Sequence, residues 1–525
     1  MIEKFSYRWI VKQDVDAFFG LLFDGFSKVL AAIGIMLYAF QMPADIVLGR
    51  ILPGLALATC FGNFWYAYEA YRLAHKEKRQ DVTAQPYGVG AGAVFGWLFL
   101  IIGPVFWDTG DAVLAWRVGL AACFLGGVVE ILGAVAGKKI IRITPRAALL
   151  GNLAAGAIVW LSLVSILEIF SNPLVAVIPM FIVLIAFLGK VNMPFGMPAG
   201  LFAILIGTII AWGTGTMDMA AVTASVSGIG FYIPTLSVGD VFVGLGSIVK
   251  YLPIIIPLQV ANFLTTLQGL ESASAAGDDY PVRMSMTMDG VGTIIGSFFG
   301  NPFPTTVYYG HPSWKEVGAR SGYSILNGIA YLVLGLTGAV GLISALIPYQ
   351  VVMSMLLFVG LVVGAQAFNE CNNKHGVAIL FGFLPLIAQY LETAVNESLA
   401  AMGGNMASVG VEAFSSSFPI RGVLALSQGA FLSSLLLTAI IACVIDAKFK
   451  QAGYFAIFSG ACAFMGLIHA PIMQWMAPSG APFAAVYMTV ALSCFYVEWK
   501  KEKLVDPAHL DLSSVDSVDN EQATA

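Results

Sequence analysis

Charge is scarce in this sequence: Asp, Glu, Lys and Arg together make up 11% of 525 residues, against roughly 25% in an ordinary soluble domain. A chain so poor in ionic groups cannot cover itself with a solvated surface, which excludes a soluble protein. The 26 basic residues are set against 31 acidic ones for a net charge of -5, with no long basic tract, so a nucleic-acid partner is excluded as well. Cysteine is sparse. The residues Cys60, Cys123, Cys371, Cys443, Cys462 and Cys494 form no C-x-x-C pair, so neither a metal cluster nor a disulfide framework is expected. No nucleophile elbow, phosphate-binding loop, H-E-x-x-H or dinucleotide fingerprint is present, which leaves an enzyme or an ATP-driven pump without support. No cofactor is expected, and energy would come from a proton or sodium-ion gradient.

What the chain has is apolar sequence, 58% of it, with mean hydropathy +0.83. Apolar runs recur from Phe18 to Val497 and predict an all-α polytopic membrane protein. The predicted spans are 17–40, 46–68, 88–107, 113–137, 147–168, 172–190, 198–214, 241–267, 287–300, 303–311, 322–346, 350–367, 376–391, 428–446, 452–470 and 480–498. The ninth and tenth are too short to cross alone. Most Lys and Arg residues fall at the N-terminus or after even-numbered spans, which places both termini in the cytoplasm. The first apolar run carries Asp24 and Lys28 and does not read as a cleavable leader, so insertion into a bacterial-type inner membrane is expected. The stretch Glu392 to Gln428 reads as a surface helix or re-entrant piece, and the end after Lys503 as an acidic disordered tail.

Two halves of the chain echo each other. Gln85-Pro86-Tyr87-Gly88 is matched by Asn301-Pro302-Phe303-Pro304, Phe23-Asp24-Gly25-Phe26 by Leu267-Gln268-Gly269-Leu270, and Ile143-Thr144-Pro145 by Ile347-Pro348. Correspondences in the same order indicate a seven-span unit used twice, and an odd number of spans inverts the second copy. Each segment of the first pair is short and interrupted by Pro or Gly, so a continuous helix is not expected there. Non-helical backbone is tolerated at membrane depth only where protein or a cavity covers it. Gln85 to Gly88 and Asn301 to Thr306 are therefore the expected binding site.

The stretch from Asn262 to Gly328, with its Phe298-Phe299-Gly300 turn and the Thr305-Thr306-Val307-Tyr308 element, resembles the nucleobase/ascorbate transporter family, nearest its hypoxanthine/guanine permease branch. The resemblance implies a 7+7 inverted-repeat transporter fold with core and gate domains. Short strands would lead into half-helices in spans 3 and 10, with two additional C-terminal spans. On this reading residues 1–16 are a cytoplasmic N-terminus, 17–137 and 216–346 the core repeats and 138–215 and 347–446 the gate repeats. Residues 447–498 form an extra hairpin and 499–525 a cytoplasmic tail. The implied activity is secondary-active permeation of a purine-like nucleobase or related planar heterocycle by alternating access, within the lipid bilayer and as a homodimer. The alternative is a small anion such as sulfate, bicarbonate or a carboxylate, because half-helix N-termini favour negative charge.

The resemblance puts Asn262 where the family has an acidic residue on the eighth span, and Tyr309 or His311 where it has one on the tenth. Both positions are changed here. An amide can donate and accept hydrogen bonds but cannot carry a proton, so Asn262 does not supply the family's usual proton route. The candidate substrate contacts are Asn262, Thr266, Gln268, Thr305, Thr306, Tyr309, Gly310, His311, Gln85 and Tyr87, with Tyr87, Phe303, Tyr308 and Tyr309 available for stacking. The candidate coupling or gating residues are Asp24, Lys28, Glu271 and Glu130, since ionisable groups within a span are functional by default. Asp278, Asp279 and Arg283 read as a charged rim.

Overall fold

The structure is a computed structural model that describes residues 5–90, 94, 97–194, 197–226, 229–307, 310–414 and 418–505. The chain is mostly α-helical, with one two-stranded sheet among the described residues. Six helices among them are long and apolar enough to cross a membrane, and a bent pair raises this to up to seven. The chain is an integral membrane protein. It forms two compact units: Met1–Ile140 with Trp160–Val363, and Ile141–Val159 with Gly364–Ala525.

The first unit contains helices α1 (Asp14–Gly34), α2 (Leu52–Glu77), α3 (Ala112–Ile143), α4 (Leu252–Ala275), α5 (Val282–Phe298), α6 (His311–Glu316) and α7 (Gly322–Thr337), and the first part of α8 (Tyr349–Glu370). Strands β1 (Tyr87–Gly88) and β2 (Thr306–Val307) pair antiparallel, with Tyr87 opposite Val307 and Gly88 opposite Thr306. These strands arise from the two interrupted segments that the sequence comparison paired. Their antiparallel register is the local two-fold relation that an inverted repeat produces.

Small residues bring the helices around the strands close together. A Cβ on Gly290 of α5 would lie 2.5 Å from the Gly127 carbonyl oxygen of α3, and one on Gly127 would lie 2.6 Å from the Gly290 carbonyl oxygen. The two backbones touch there, as at glycine crossings of membrane helices, where association depends on close packing rather than on exclusion of water. On the same helix, a Cβ on Gly292 would overlap the Tyr87 hydroxyl, and one on Gly296 would press on Ala58 of α2 at 3.0 Å. Helix α5 begins at Val282, five residues before the start of the predicted ninth span, so Asp289 lies within it rather than at its mouth.

The second unit holds α9 (Gly376–Ala401), α10 (Ile420–Ser427), α11 (Ala430–Ile445), α12 (Phe449–Phe464) and α13 (Ala481–Trp499). Helices α10 and α11 meet at 86°, which locates the break that the polar composition before Gln428 suggested. Gly429 has φ +71° and touches the Leu467 carbonyl oxygen. The His469 amide donates to the Gln428 carbonyl oxygen at 3.0 Å. His469 Nδ1–H donates to the Ala425 carbonyl oxygen at 2.7 Å, so Nε2 accepts from the Tyr487 hydroxyl at 2.9 Å. Helices α12 and α13, the expected additional spans, thus close over the α10–α11 corner and share an apolar core with α11.

Replacing Gly290 by Ala forces a methyl into backbone, and such overpacking costs about 1–3 kcal/mol. The G290A protein should show a lower melting temperature in detergent than the wild type, whereas G246A, at an open position, should change little.

Candidate functional site

Strands of two residues cannot satisfy their own flanking backbone, and at membrane depth water is not there to do so. Side chains take that role. Before β1, the Tyr7 hydroxyl donates to the Val82 carbonyl oxygen at 2.7 Å, Tyr280 to Thr83 at 2.5 Å and Tyr323 to Ala84 at 2.6 Å. Asn63 of α2 donates to the Tyr87 carbonyl oxygen at 3.1 Å. Before β2, Asn301 closes on itself: its Oδ1 accepts from the Phe303 amide at 3.0 Å and its Nδ2 donates to the Phe303 carbonyl oxygen at 2.7 Å. Thr293 Oγ1 of α5 donates to the Thr305 carbonyl oxygen at 3.1 Å and accepts from the Thr305 amide at 3.2 Å.

Helix α4 supplies the polar face behind β2. Asn262 and Thr266, one turn apart, are 7% and 0% exposed. Asn262 Nδ2 donates to Glu130 Oε1 of α3. The Thr266 hydroxyl donates to Asp289 Oδ2 of α5 and lies 2.7 Å from Thr306 Oγ1. The Val307 amide points at the same Asp289 oxygen at 3.4 Å. A carboxylate therefore stands one hydrogen bond from Asn262, contributed by the fourth span. Asp289 is a residue that the sequence reading missed, although it falls third in the predicted ninth span. The signal was there: an acid beside Gly290 in a helix whose small residues recur at Gly292, Thr293, Gly296 and Ser297.

The remaining candidates lie in different places. Gln85 and Gln268 are 0% and 1% exposed, and both amide atoms of Gln85 and Nε2 of Gln268 have no hydrogen-bond partner among the described residues. Tyr87, Thr305 and Thr306 belong to the strand crossing, with the Tyr87 and Thr305 hydroxyls 2.6 Å apart. Tyr87 is not arranged as a stacking platform: its ring is fully buried against Gly62 of α2 and against Tyr66, with centroids 5.2 Å apart. Phe303 is likewise enclosed in the apolar core. Tyr308 and Tyr309 lie outside the described residues.

His311 and Gly310 belong to a different place. Gly310, at φ +117°, turns the chain into α6 beside Trp314. His311 Nε2–H lies 3.1 Å from both the Thr83 carbonyl oxygen and Asp278 Oδ2. Asp278 is no rim residue. Its side chain is fully buried, accepting from Lys315 Nζ at 2.5 Å, Arg79 Nη2 at 2.9 Å and the Thr83 amide at 3.0 Å. This cluster joins the end of α2, the approach to β1, the α4–α5 turn and α6. Glu271 is half-buried near the end of α4, seven residues before Asp278.

Asp24 and Lys28 form a buried i,i+4 ion pair at 2.5 Å on α1. Asp24 faces a small cavity with Gly20, Leu21, Leu161, Trp314, Leu356 and Val359.

No family model matches the sequence. No curated protein matches it either. Among solved structures, the chain is similar to the transmembrane domain of a cyanobacterium bicarbonate transporter, BicA, at 15% identity and TM-score 0.38, over 83% of this chain and 98% of that one. It is also similar to SLC26A9, at 13% identity and TM-score 0.38, over 70% of this chain and 61% of that one.

Burial alone would raise the Asp278 carboxyl, but the hydrogen bond and charge of His311, followed by those of Lys315, outweigh it and hold the group down to about 2. A carboxyl depressed on folding adds stability above its unfolded value, roughly pH 4, and loses it as pH falls through about 2. Breaking a buried pair by removing one partner costs about 3–5 kcal/mol. Asp278→Asn should therefore lower the melting temperature clearly at pH 7, and the gap to wild type should shrink as pH falls from 4 towards 2 in a thermal scan.

Proposed function

We propose that this chain is a secondary-active transporter of a small oxyanion of the bicarbonate, sulfate or short carboxylate class, bound in the first unit beside the β1–β2 crossing. The observation that carries this reading is the buried Gln85 amide, which leads into β1 with neither its N–H nor its C=O partnered among the described residues. An unsatisfied buried amide is costly, and one at a helix interruption inside a membrane protein is supported as a ligand contact. Its N–H can donate to any oxyanion of this class, and its C=O can accept from one that carries a proton, as bicarbonate does.

Ring packing favours a small solute over a planar base. The described aromatic side chains at the crossing, Tyr87 and Phe303, are covered by protein on this reading's own site, and His311 is engaged with Asp278. The purine-like reading keeps one support besides the resemblance of residues 262–328, since the Gln85 amide would equally read a base edge.

Thermal stabilisation of the detergent-purified protein separates the two. A ligand that binds only the folded state at a hundredfold excess over its Kd adds about 2.7 kcal/mol. Bicarbonate, sulfate or acetate should raise the melting temperature of the wild type and not of Gln85→Ala, while hypoxanthine and xanthine should leave both unchanged. A shift with a purine alone would replace the oxyanion reading by the nucleobase one.

A further inference from the structure

Helices α3 and α5 touch at Gly127 and Gly290. Glu130 lies three residues beyond the first, nearly one helical turn, and Asp289 is next to the second. Helix α4 then meets both acids from one face, Asn262 reaching Glu130 and Thr266, one turn on, reaching Asp289. Glu130 is 1% and Asp289 0% exposed. Each has one oxygen held by a donor, while Glu130 Oε2 and Asp289 Oδ1 have no partner among the described residues.

The groups around this pair offer no compensating charge. Facing it are Tyr66 of α2, Tyr87 of β1 and Cys123 of α3; Glu69 of α2, which also faces Tyr66, is buried, accepts from the Ser285 hydroxyl at 2.8 Å and has the charge of Arg72 acting on it. Among the described residues no Lys, Arg or His pairs with Glu130 or Asp289. Two buried carboxylates held by donors one turn apart on the same helix, with no cation paired to either, cannot both be ionised. The Val307 amide ties Asp289 to β2 directly, and the Thr306 hydroxyl reaches it through the Thr266 hydroxyl, so a change of charge on the pair acts on the strand crossing.

We propose that Glu130 and Asp289 hold one exchangeable proton between them and that this proton is the coupling ion. The inference rests on the transporter reading above. The proton enters from water on one side when the pair is exposed, neutralises one carboxylate, and leaves to the other side when the crossing opens there; no bond other than O–H is made or broken.

Infrared difference spectroscopy of the full-length protein in nanodiscs, titrated between pH 5 and 9, reads the pair without any solute. The wild type should show a protonated-carboxyl band that titrates, with one component belonging to the pair; that component should shift to lower pH in Glu130→Gln and in Asp289→Asn, each relieved of its like-charged neighbour, and be lost in the double variant while persisting in Asp24→Asn and Glu69→Gln. No titrating band, or one unchanged in the double variant, overturns the proposal. In proteoliposomes, an inward proton gradient should drive accumulation of labelled sulfate or bicarbonate by the wild type, and that drive should be lost in both single variants. Accumulation driven by a sodium gradient and indifferent to pH overturns it too. If none of these solutes is taken up, the oxyanion reading fails by itself and the infrared titration still decides the proton pair.

Discussion

The pairing of two very short strands inside a membrane protein is the constraint on which the rest of this structure depends. Tyr87–Gly88 and Thr306–Val307 satisfy each other only across their shared edge, and every neighbouring peptide group needs a partner in a region where water is not available. The surrounding helices are therefore built around donors and acceptors rather than around apolar packing alone. Tyrosine hydroxyls from distant segments converge on residues 82–84, and Thr293, Asn63 and Asn301 do the same nearer the strands.

Close approach is the second requirement, and glycine supplies it. Gly62 and Gly292 leave room for Tyr87, and Gly127 and Gly290 let α3 and α5 touch. The same crossing carries Glu130 and Asp289 into a dry interior, where Asn262 and Thr266 of α4 donate to them. Packing and electrostatics are thus coupled here: the contact that fixes the helices also sets two acids against each other. The buried ion cluster at Asp278 is opposite in character. It has Arg79 and Lys315 beside it, is fully compensated, and clamps the entry to β1 and to α6.

Much of this was legible in the sequence where the signal is local. The Pro and Gly interruptions at residues 85–88 and 301–306 announced broken backbone, and the matching motifs in the two halves announced that the breaks correspond. Glu130 stood out as an acid in an apolar run. Asp289 did not, because the polar residues Arg283, Ser285 and Thr287 disguise the first turns of α5 as loop; their hydropathy is that of a surface, but Ser285 and Asp289 are buried by partners from other helices. Asp278 misled for the same reason, its role depending on Arg79, far away in sequence. The purine-stacking role assigned to Tyr87 rested on residue type, whereas the ring's surroundings come from Gly62 and Tyr66 on another helix.

The central claim is that a small solute completes the polar site at the strand crossing, where the Gln85 amide is buried without a partner. The most direct measurement is an electron cryomicroscopy structure of the protein in nanodiscs with saturating bicarbonate or sulfate. The account predicts density within hydrogen-bond distance of Gln85 beside β1 and β2. Density only elsewhere in the first unit, with Gln85 satisfied by protein, would contradict it.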